Sequence, residues 1–248
     1  MPMRIVVLCA AAILLLGGAA RAEDRWRIDF ENGAAISGYN NLRIPGDSGT
    51  DFSLTDDLSS DSTYYWRLRA DLRVAPKHVL SALVAPLTIH AAGTFDAPVS
   101  FAGSTFAPGV STKGLYVFNS YRVTYRYEPI QRDKWMFGVG VTLKVRDAVT
   151  RLEANGAMAE KANVGVVPLV NFRFDRRVGQ RTHLLVEGDA LAAPQGRAED
   201  IFAGVAVDTG KHLSIKAGYR FLEGGADNDE VYTFALVHYV AAGVIVRF

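Results

Sequence analysis

The chain has 248 residues, of which 49% are hydrophobic, 10% aromatic and 21% charged, and its formal net charge at pH 7 is +1. This balance excludes a strongly basic nucleic-acid-binding domain and a broadly basic membrane-surface protein. The single cysteine, Cys9, excludes a scaffold held together by internal disulfides.

Residues 1–22 have the parts of a cleavable secretory signal. Arg4 provides a positive start, residues 5–16 form an apolar run, and Ala20-Arg21-Ala22 matches the small-residue cleavage pattern. The apolar run is short for a membrane-spanning helix. Cys9 follows too short an apolar stretch for a lipoprotein signal. We therefore expect cleavage after Ala22, which leaves residues 23–248 as one domain without cysteine.

Period-two alternation of apolar and polar side chains recurs along residues 23–248 and predicts β-strands. In YWRLRADLRV, for example, the apolar side chains share one face, and Arg67, Arg69 and Asp71 share the other. The pattern predicts ten strands, at residues 25–38, 63–75, 78–90, 113–128, 135–152, 164–175, 182–192, 199–208, 212–222 and 230–248. The ambiguous segment is 91–112, which could form a hairpin above the membrane or two more spanning strands, so eight or twelve strands also stay open.

The apolar faces carry aromatic residues at strand ends, and the polar faces combine arginines with acids. A soluble sandwich also alternates, but an apolar exterior with aromatic girdles and a polar interior is typical of a membrane-spanning barrel. The connections alternate between short turns and long polar segments, and an even strand count puts both termini on one side. The sequence therefore predicts an all-β fold, a transmembrane antiparallel up-and-down β-barrel.

The chain ends on Phe248, and Val246, Val244, Ala242 and Val240 occupy alternate positions before it. With the signal, the alternating strands and the connection lengths, this terminus makes the chain resemble Gram-negative outer-membrane β-barrel proteins along its whole length. The resemblance implies location in the cell outer membrane, contact with its lipid and lipopolysaccharide, and recognition of Phe248, Val246 and Val244 by the outer-membrane assembly machinery. We expect a monomer without a cofactor or a nucleic-acid partner.

Two local features depart from this pattern. His238 falls on the lipid-facing register of the last strand and predicts a β-bulge in that strand. The segment APQGRAED, with Gln195, Arg197 and Glu199, has a more distinctive sequence than a simple loop needs. The sequence explains it only as a tight extracellular turn.

The polar faces would line the barrel interior. Charges of both signs in a narrow, low-dielectric space should pair, which predicts a salt-bridge network. The alternative is a polar conduit whose basic bias favours anions. A barrel of this size is largely filled by side chains, so a wide diffusion pore is not expected. The candidate interior residues are Arg67, Arg69, Asp71, Lys144, Arg146, Glu187, Asp189, Asp200, Lys216 and Arg220.

Acidic residues cluster in two long connections. Asp47 and Asp51 lie in the first, and Asp227 and Asp229 lie in the last. Oxygen ligands beside glycines suit a hard cation such as Ca²⁺, but the spacing does not match a calcium-binding loop. Solvated turns explain these residues better, so we predict no metal site.

An enzymatic alternative uses carboxylates at the barrel rim. Glu187, Asp189, Asp200 and His90 could form an acid–base group of a surface hydrolase, although no Ser, His and acid group stands at a recognisable spacing. We predict a non-enzymatic barrel with acidic extracellular loops, whose role is structural or lies in binding or small-solute passage. Convergence of Asp189, Asp200 and His90 would favour the hydrolase, and pairing of each acid with arginine would oppose it.

Overall fold

The computed structural model describes residues 25–194 and 196–248, so the predicted signal (1–22) and Gln195 lie outside the described residues. The regular elements of the described residues are all β-strands. These residues therefore contain no helix that could cross a membrane. The strands are β1 (Trp26–Arg43), β2 (Phe52–Ser53), β3 (Leu58–Ser60), β4 (Thr63–Ala75), β5 (His78–Ala85), β6 (Thr88–Thr94), β7 (Val99–Phe101), β8 (Ser104–Phe106), β9 (Ser111–Arg132), β10 (Trp135–Ala154), β11 (Ala157–Arg177), β12 (Thr182–Ala193), β13 (Gly196–Asp208), β14 (Leu213–Asp227) and β15 (Tyr232–Arg247).

Ten strand positions close into an antiparallel barrel. The order around the wall is β1, β4, β5, β9, β10, β11, β12, β13, β14 and β15, and β15 pairs with β1 to complete the ring. The predicted ten-stranded barrel is therefore confirmed, and the eight- and twelve-stranded alternatives are wrong. Closure pairs the strand edges with one another, which a spanning sheet requires in lipid.

The predicted strand 78–90 is divided into β5 and β6. Pro86 falls at the division and has no N–H to donate to a ladder. Both halves pair with β9, and the register is the same on each side, with Ala85 opposite Ser120 and Thr88 opposite Val117. The two segments therefore act as one strand of the wall.

The ambiguous segment 91–112 does not span the wall. It continues β6 to Thr94 and then forms the hairpin β7–β8, a separate two-stranded sheet. The hairpin interpretation is confirmed for this segment.

The predicted bulge lies in β1 and not in the last strand. The β1–β15 register shifts between Ser37 and Tyr39, so Gly38 is the extra residue. A Cβ on Gly38 would come within 2.6 Å of His238 Nε2, so the missing side chain leaves room for the imidazole. His238 Nδ1 lies 2.5 Å from the Tyr219 hydroxyl on the outer face, which gives this polar residue a partner there.

The alternation in each strand puts apolar side chains outside and polar ones inside. On β9 and β10, Val123, Val141 and Leu143 are 59–62% exposed, whereas Thr142 and Lys144 of the same β10 strand are buried. This arrangement inverts that of a soluble sandwich and agrees with the predicted assignment of faces. The predicted terminal set also points outward, since Val240, Val244 and Phe248 are exposed.

The long connections form an apolar cap at one end of the barrel. The cap, defined as residues 44–60 and 95–106, carries its aspartates outside and buries Phe52, Leu54 and Phe101. The Phe52 ring meets Phe101 edge-on at 5.5 Å, and the Thr50 N–H donates to the Ser100 carbonyl at 3.0 Å. The sequence predicted polar connections here and did not predict that the apolar residues of the two segments pack on one another and on the inner wall.

Candidate functional site: the barrel interior

The interior has three layers along the barrel axis. The cap covers the end with the long connections, a charged network fills the middle, and a cavity opens at the end with the short turns. Buried charges in the described residues comprise eight basic and seven acidic side chains. Such a near balance in a low-dielectric space favours pairing over a row of free cations.

Asp200 of β13 is the centre of the network. Its Oδ1 accepts a hydrogen bond from Arg220 Nη1 at 2.7 Å, and its Oδ2 accepts from Arg67 Nη2 at 2.9 Å and from Arg122 Nη2 at 2.5 Å. These arginines lie on β14, β4 and β9, so one carboxylate links strands from distant parts of the wall.

Glu31 of β1 forms a second centre. Its carboxylate accepts two hydrogen bonds from Arg220, from Nε at 2.7 Å and from Nη2 at 2.9 Å, and one from Lys216 Nζ at 2.8 Å. The Tyr65 hydroxyl donates to the same group at 3.3 Å. Arg220 therefore bridges Glu31 and Asp200, and the two centres form one network.

Asp189 of β12 joins the network through Arg122, whose Nη1 donates to it at 2.6 Å. Its other oxygen accepts from the Thr142 hydroxyl at 2.6 Å and from Asn171 Nδ2 at 2.8 Å. These neutral partners were missed at the sequence level, although each stands at an inward-facing position of its strand. Glu187 accepts a hydrogen bond from Arg173 at 2.8 Å, and its other oxygen lies 3.9 Å from Arg220 Nη2 of the same network.

Two buried cations have no direct acidic partner. Among the described residues, no carboxylate oxygen lies within 4.0 Å of Arg69 or Lys144. Lys144 Nζ instead lies 4.6 Å from the centre of the Phe118 ring, a cation–π distance. Arg146 is half-buried on the inner face of β10 and donates to the Asn163 side chain.

The ten predicted interior residues therefore all lie on the inner face, and nine of them are buried. Most belong to the charge-paired network, which leaves little free space for the polar conduit of the alternative interpretation. A void between the network and the cap, lined by Tyr65, Arg67, Arg122 and Tyr239 among others, measures about 10 Å³. This is room for about one water molecule. Whether any of these residues binds a ligand stays a prediction.

The structure does not assemble the acid–base group of the hydrolase alternative. Asp189 and Asp200 are buried against arginines, whereas His90 is exposed on the other face of β6 from the buried Ile89 and Ala91. An acid held by several guanidinium groups and shielded from solvent cannot exchange protons with that histidine.

The acidic connections do not converge on a metal site. Asp51 pairs with Arg43 at 3.1 Å, and the Asp47 backbone N–H donates to the Asp229 carbonyl at 3.3 Å. Asp227 is exposed like the other acids. Within residues 25–194 and 196–248, no group of three or more His, Cys, Asp or Glu side chains is placed to hold a metal ion.

The APQGRAED segment gains an explanation from its arginine. Arg197 Nε and Nη2 donate to the Glu223 carboxylate at 2.7–3.0 Å, and its guanidinium lies 4.9 Å from the centre of the Phe234 ring. The Tyr39 hydroxyl donates to the same carboxylate. These contacts join β13, β14, β15 and β1 on the outer face near the capped end.

The third layer is a cavity of about 810 Å³ at the short-turn end. Its walls come from the ends of β1, β4, β5, β9, β10, β11 and β15, together with the turn that contains Pro76. Seven arginines and three carboxylates line it. Sequence reasoning placed several of these side chains inside but did not predict a cavity, because free space depends on how side chains of different length meet across the barrel.

No family model matches this chain, and no curated protein matches it. Among solved structures, the outer membrane protease OmpT from Escherichia coli is similar with a TM-score of 0.57 and 8% identity, over 94% of this chain and 99% of that one. The chain has the fold of an outer-membrane β-barrel protein. At this identity the likeness concerns the barrel fold alone, and the protease activity belongs to OmpT.

Other matching structures are also outer-membrane barrels. They include Ail, the attachment invasion locus protein of Yersinia pestis, in complex with the heparin analogue sucrose octasulfate, with a TM-score of 0.42 and 11% identity over 90% of this chain and 99% of that one. Neisserial surface protein A matches with a TM-score of 0.35 and 13% identity over 94% of this chain and all of that one.

Proposed function

We propose that this protein is an integral β-barrel of the cell outer membrane whose closed interior does not conduct solutes. Its role is structural or lies in binding at its ends, and not in solute passage. The observation that carries the proposal is the coordination of Asp200 by three arginines in the middle of the barrel. Because the cap and the network close the same axis at two levels, a solute would have to break both.

The placement in the outer membrane is supported by the fold and by the outer surface. The exterior is apolar, and aromatic side chains are exposed near both ends of the wall, with Tyr64 and Trp66 towards the cap and Tyr125, Tyr127 and Trp135 towards the short turns. Such girdles lie at the two membrane–water interfaces of outer-membrane barrels. In this placement the capped end faces the lipopolysaccharide leaflet and the cell exterior, and the short turns face the periplasm.

The closed interior makes a direct electrical prediction. In planar bilayers, the purified protein should insert without stepwise conductance above the baseline, because no continuous water path crosses the network and the cap. A general-diffusion porin reconstituted in the same way serves as the positive control. Reproducible anion-selective steps would contradict the proposal and favour the conduit interpretation.

The C-terminal strand supports a proposal about assembly. Phe248 is 56% exposed on the outer face, while its backbone exchanges hydrogen bonds with Trp26 at 2.8 and 3.0 Å. An aspartate at this position would retain those backbone bonds and lose only the aromatic side chain. We propose that the outer-membrane assembly machinery recognises Phe248, Val246 and Val244, and that the assembled barrel is a monomer.

Phe248→Asp should therefore reduce the amount of assembled barrel in the outer-membrane fraction several-fold. The measurement is membrane fractionation combined with the heat-dependent shift in gel migration of folded barrels. Val178→Asp is the matched control, since it adds the same charge to an exposed short turn at the same end. Normal assembly of Phe248→Asp would contradict the recognition role, and recovery of the unmodified protein in the soluble periplasmic fraction would contradict the membrane placement.

A further inference from the structure

The cavity at the short-turn end has a charge composition that the closed network does not require. Seven arginines line it, from Arg25 before β1 to Arg247 at the end of β15, and only three carboxylates accompany them. The network above closes the inner end of this space, while Arg132 and Pro76 at its rim are exposed. The cavity is thus a pocket with one mouth.

The three carboxylates of the cavity are already engaged by the protein. Each accepts a bond from a neighbouring side chain, in two cases a cavity arginine, so the carboxylates neutralise part of the arginine charge and leave the remaining arginines in excess. The contacts are Arg27 to Asp71 at 3.0 Å, Arg73 to Glu128 at 3.1 Å and His183 to Asp175 at 2.9 Å.

Two cavity arginines lack such engagement, and a third has only a longer ion pair. No carboxylate oxygen of the described residues lies within 4.0 Å of Arg25 or Arg132. Arg247 donates to the Ser214 hydroxyl at 2.8 Å, and its nearest carboxylate, that of Asp208, is 3.6 Å away. A concave surface with an excess of one charge and low-dielectric walls concentrates the electric field at its mouth.

We propose that this cavity binds a small polyanion that carries at least two phosphate or carboxylate groups. Guanidinium groups match both kinds of anion with paired N–H donors. The volume of about 810 Å³ falls in the range of small-molecule sites. Arg25 and Arg132 lie three strand positions apart around the wall, about 14 Å at the usual strand spacing, so one anionic group cannot reach both of them.

This site goes beyond the proposed structural role and depends on it only for the compartment, since the outer-membrane placement turns the mouth towards the periplasm. Because the pocket is closed above, the ligand enters and leaves through the same mouth. The interaction is therefore retention of a periplasmic solute and not transport.

The test is calorimetric titration of the purified full-length protein in non-ionic detergent at low ionic strength. The probes are inorganic triphosphate and citrate, which present phosphate and carboxylate groups respectively. We expect saturable one-to-one binding of at least one probe, and the tighter probe identifies the anionic group that the site prefers. Higher salt should weaken binding, because much of the interaction is electrostatic.

Arg25→Gln and Arg132→Gln should each weaken binding about tenfold, which is the effect of one lost hydrogen bond to a charged group. Neither side chain makes an ion pair in the described residues, so both variants should keep the wild-type melting temperature. Arg181→Gln is the matched control, since it removes an exposed arginine from a turn at the same end but outside the cavity.

Absence of saturable binding of both probes to the folded protein would overturn the proposal. So would an equal loss of affinity in Arg181→Gln, since that result would indicate general attraction to a basic surface. Either result leaves the closed-barrel proposal intact, because that proposal is tested by conductance and by membrane fractionation.

Discussion

Asp200→Asn is expected to lower the free energy of unfolding of the barrel by about 3–5 kcal/mol, the usual consequence of removing one partner from a buried ionic group. The substitution keeps the size of the side chain and removes its charge. Arg67, Arg122 and Arg220 would then face one another without the carboxylate that holds them together. Because the three cations remain buried, their mutual repulsion and lost solvation are not relieved.

The measurement is the melting temperature of the detergent-solubilised barrel, which should fall by about 10 °C for a chain of this size. Asp133→Asn is the matched control, because Asp133 is exposed in a short turn and makes no ion pair among the described residues. Leu68→Ala tests the other face of the wall. Leu68 is 42% exposed on the outside, where detergent or lipid chains solvate it in any case, so its truncation opens no internal cavity.

The relative size of the two effects decides which face is the interior. A larger loss for Leu68→Ala than for Asp200→Asn would mean that the apolar face is the packed core. That outcome would contradict the inside-out assignment and return a soluble β-sandwich as the better description of the chain.

The wall of the barrel could be predicted because lipid imposes a strict alternation on it. A shift of one residue would turn every inward charge towards lipid, so residues such as Arg69 and Lys144 are assigned to a face from the sequence alone. The predicted strand 135–152 and the observed β10 (Trp135–Ala154) agree closely. The predicted strand 164–175 is shorter than the observed β11 (Ala157–Arg177). Residues 157–163 continue the ladder with β10 but include several polar residues, so hydropathy did not mark them as strand.

The network could be predicted as a set but not as pairs. Arg220 and Glu31 are separated by 189 positions and meet across the interior. Their contact depends on strand tilt and stagger, which no local pattern encodes.

The cap was missed for a different reason. Five aspartates dominate the composition of residues 47–61, and the buried Phe52 among them packs on Phe95 and Phe101 of another connection.

Phe101→Ala should loosen the cap and leave the barrel intact. Phe101 is fully buried, and both it and Phe95 pack edge-on against Phe52 at about 5.5 Å. Truncation of a buried phenylalanine costs about 3–5 kcal/mol. The hairpin β7–β8 belongs to a sheet of its own. The substitution should therefore make local opening of the cap easier and leave the stability of the hydrogen-bonded wall unchanged.

Limited proteolysis measures that opening. Cleavage between β6 and β9 should become about a hundredfold faster, since cleavage follows the population of the open cap. The heat-dependent gel shift of the barrel should stay at the wild-type temperature. Thr105→Ala, at an exposed position of the same hairpin, should leave the cleavage rate unchanged. An equal fall in barrel stability would show that cap and wall unfold as one unit.

Phe101→Ala also distinguishes the cap from the charged network as barriers to solutes inside the barrel. With the cap loosened, the network around Asp200 and Glu31 still bridges the interior, so Phe101→Ala should remain silent in planar bilayers. Conductance in Phe101→Ala but not in the wild type would assign the closure to the cap alone. The network would then be a lining of a gated passage, and the closed-barrel proposal would fail at that point.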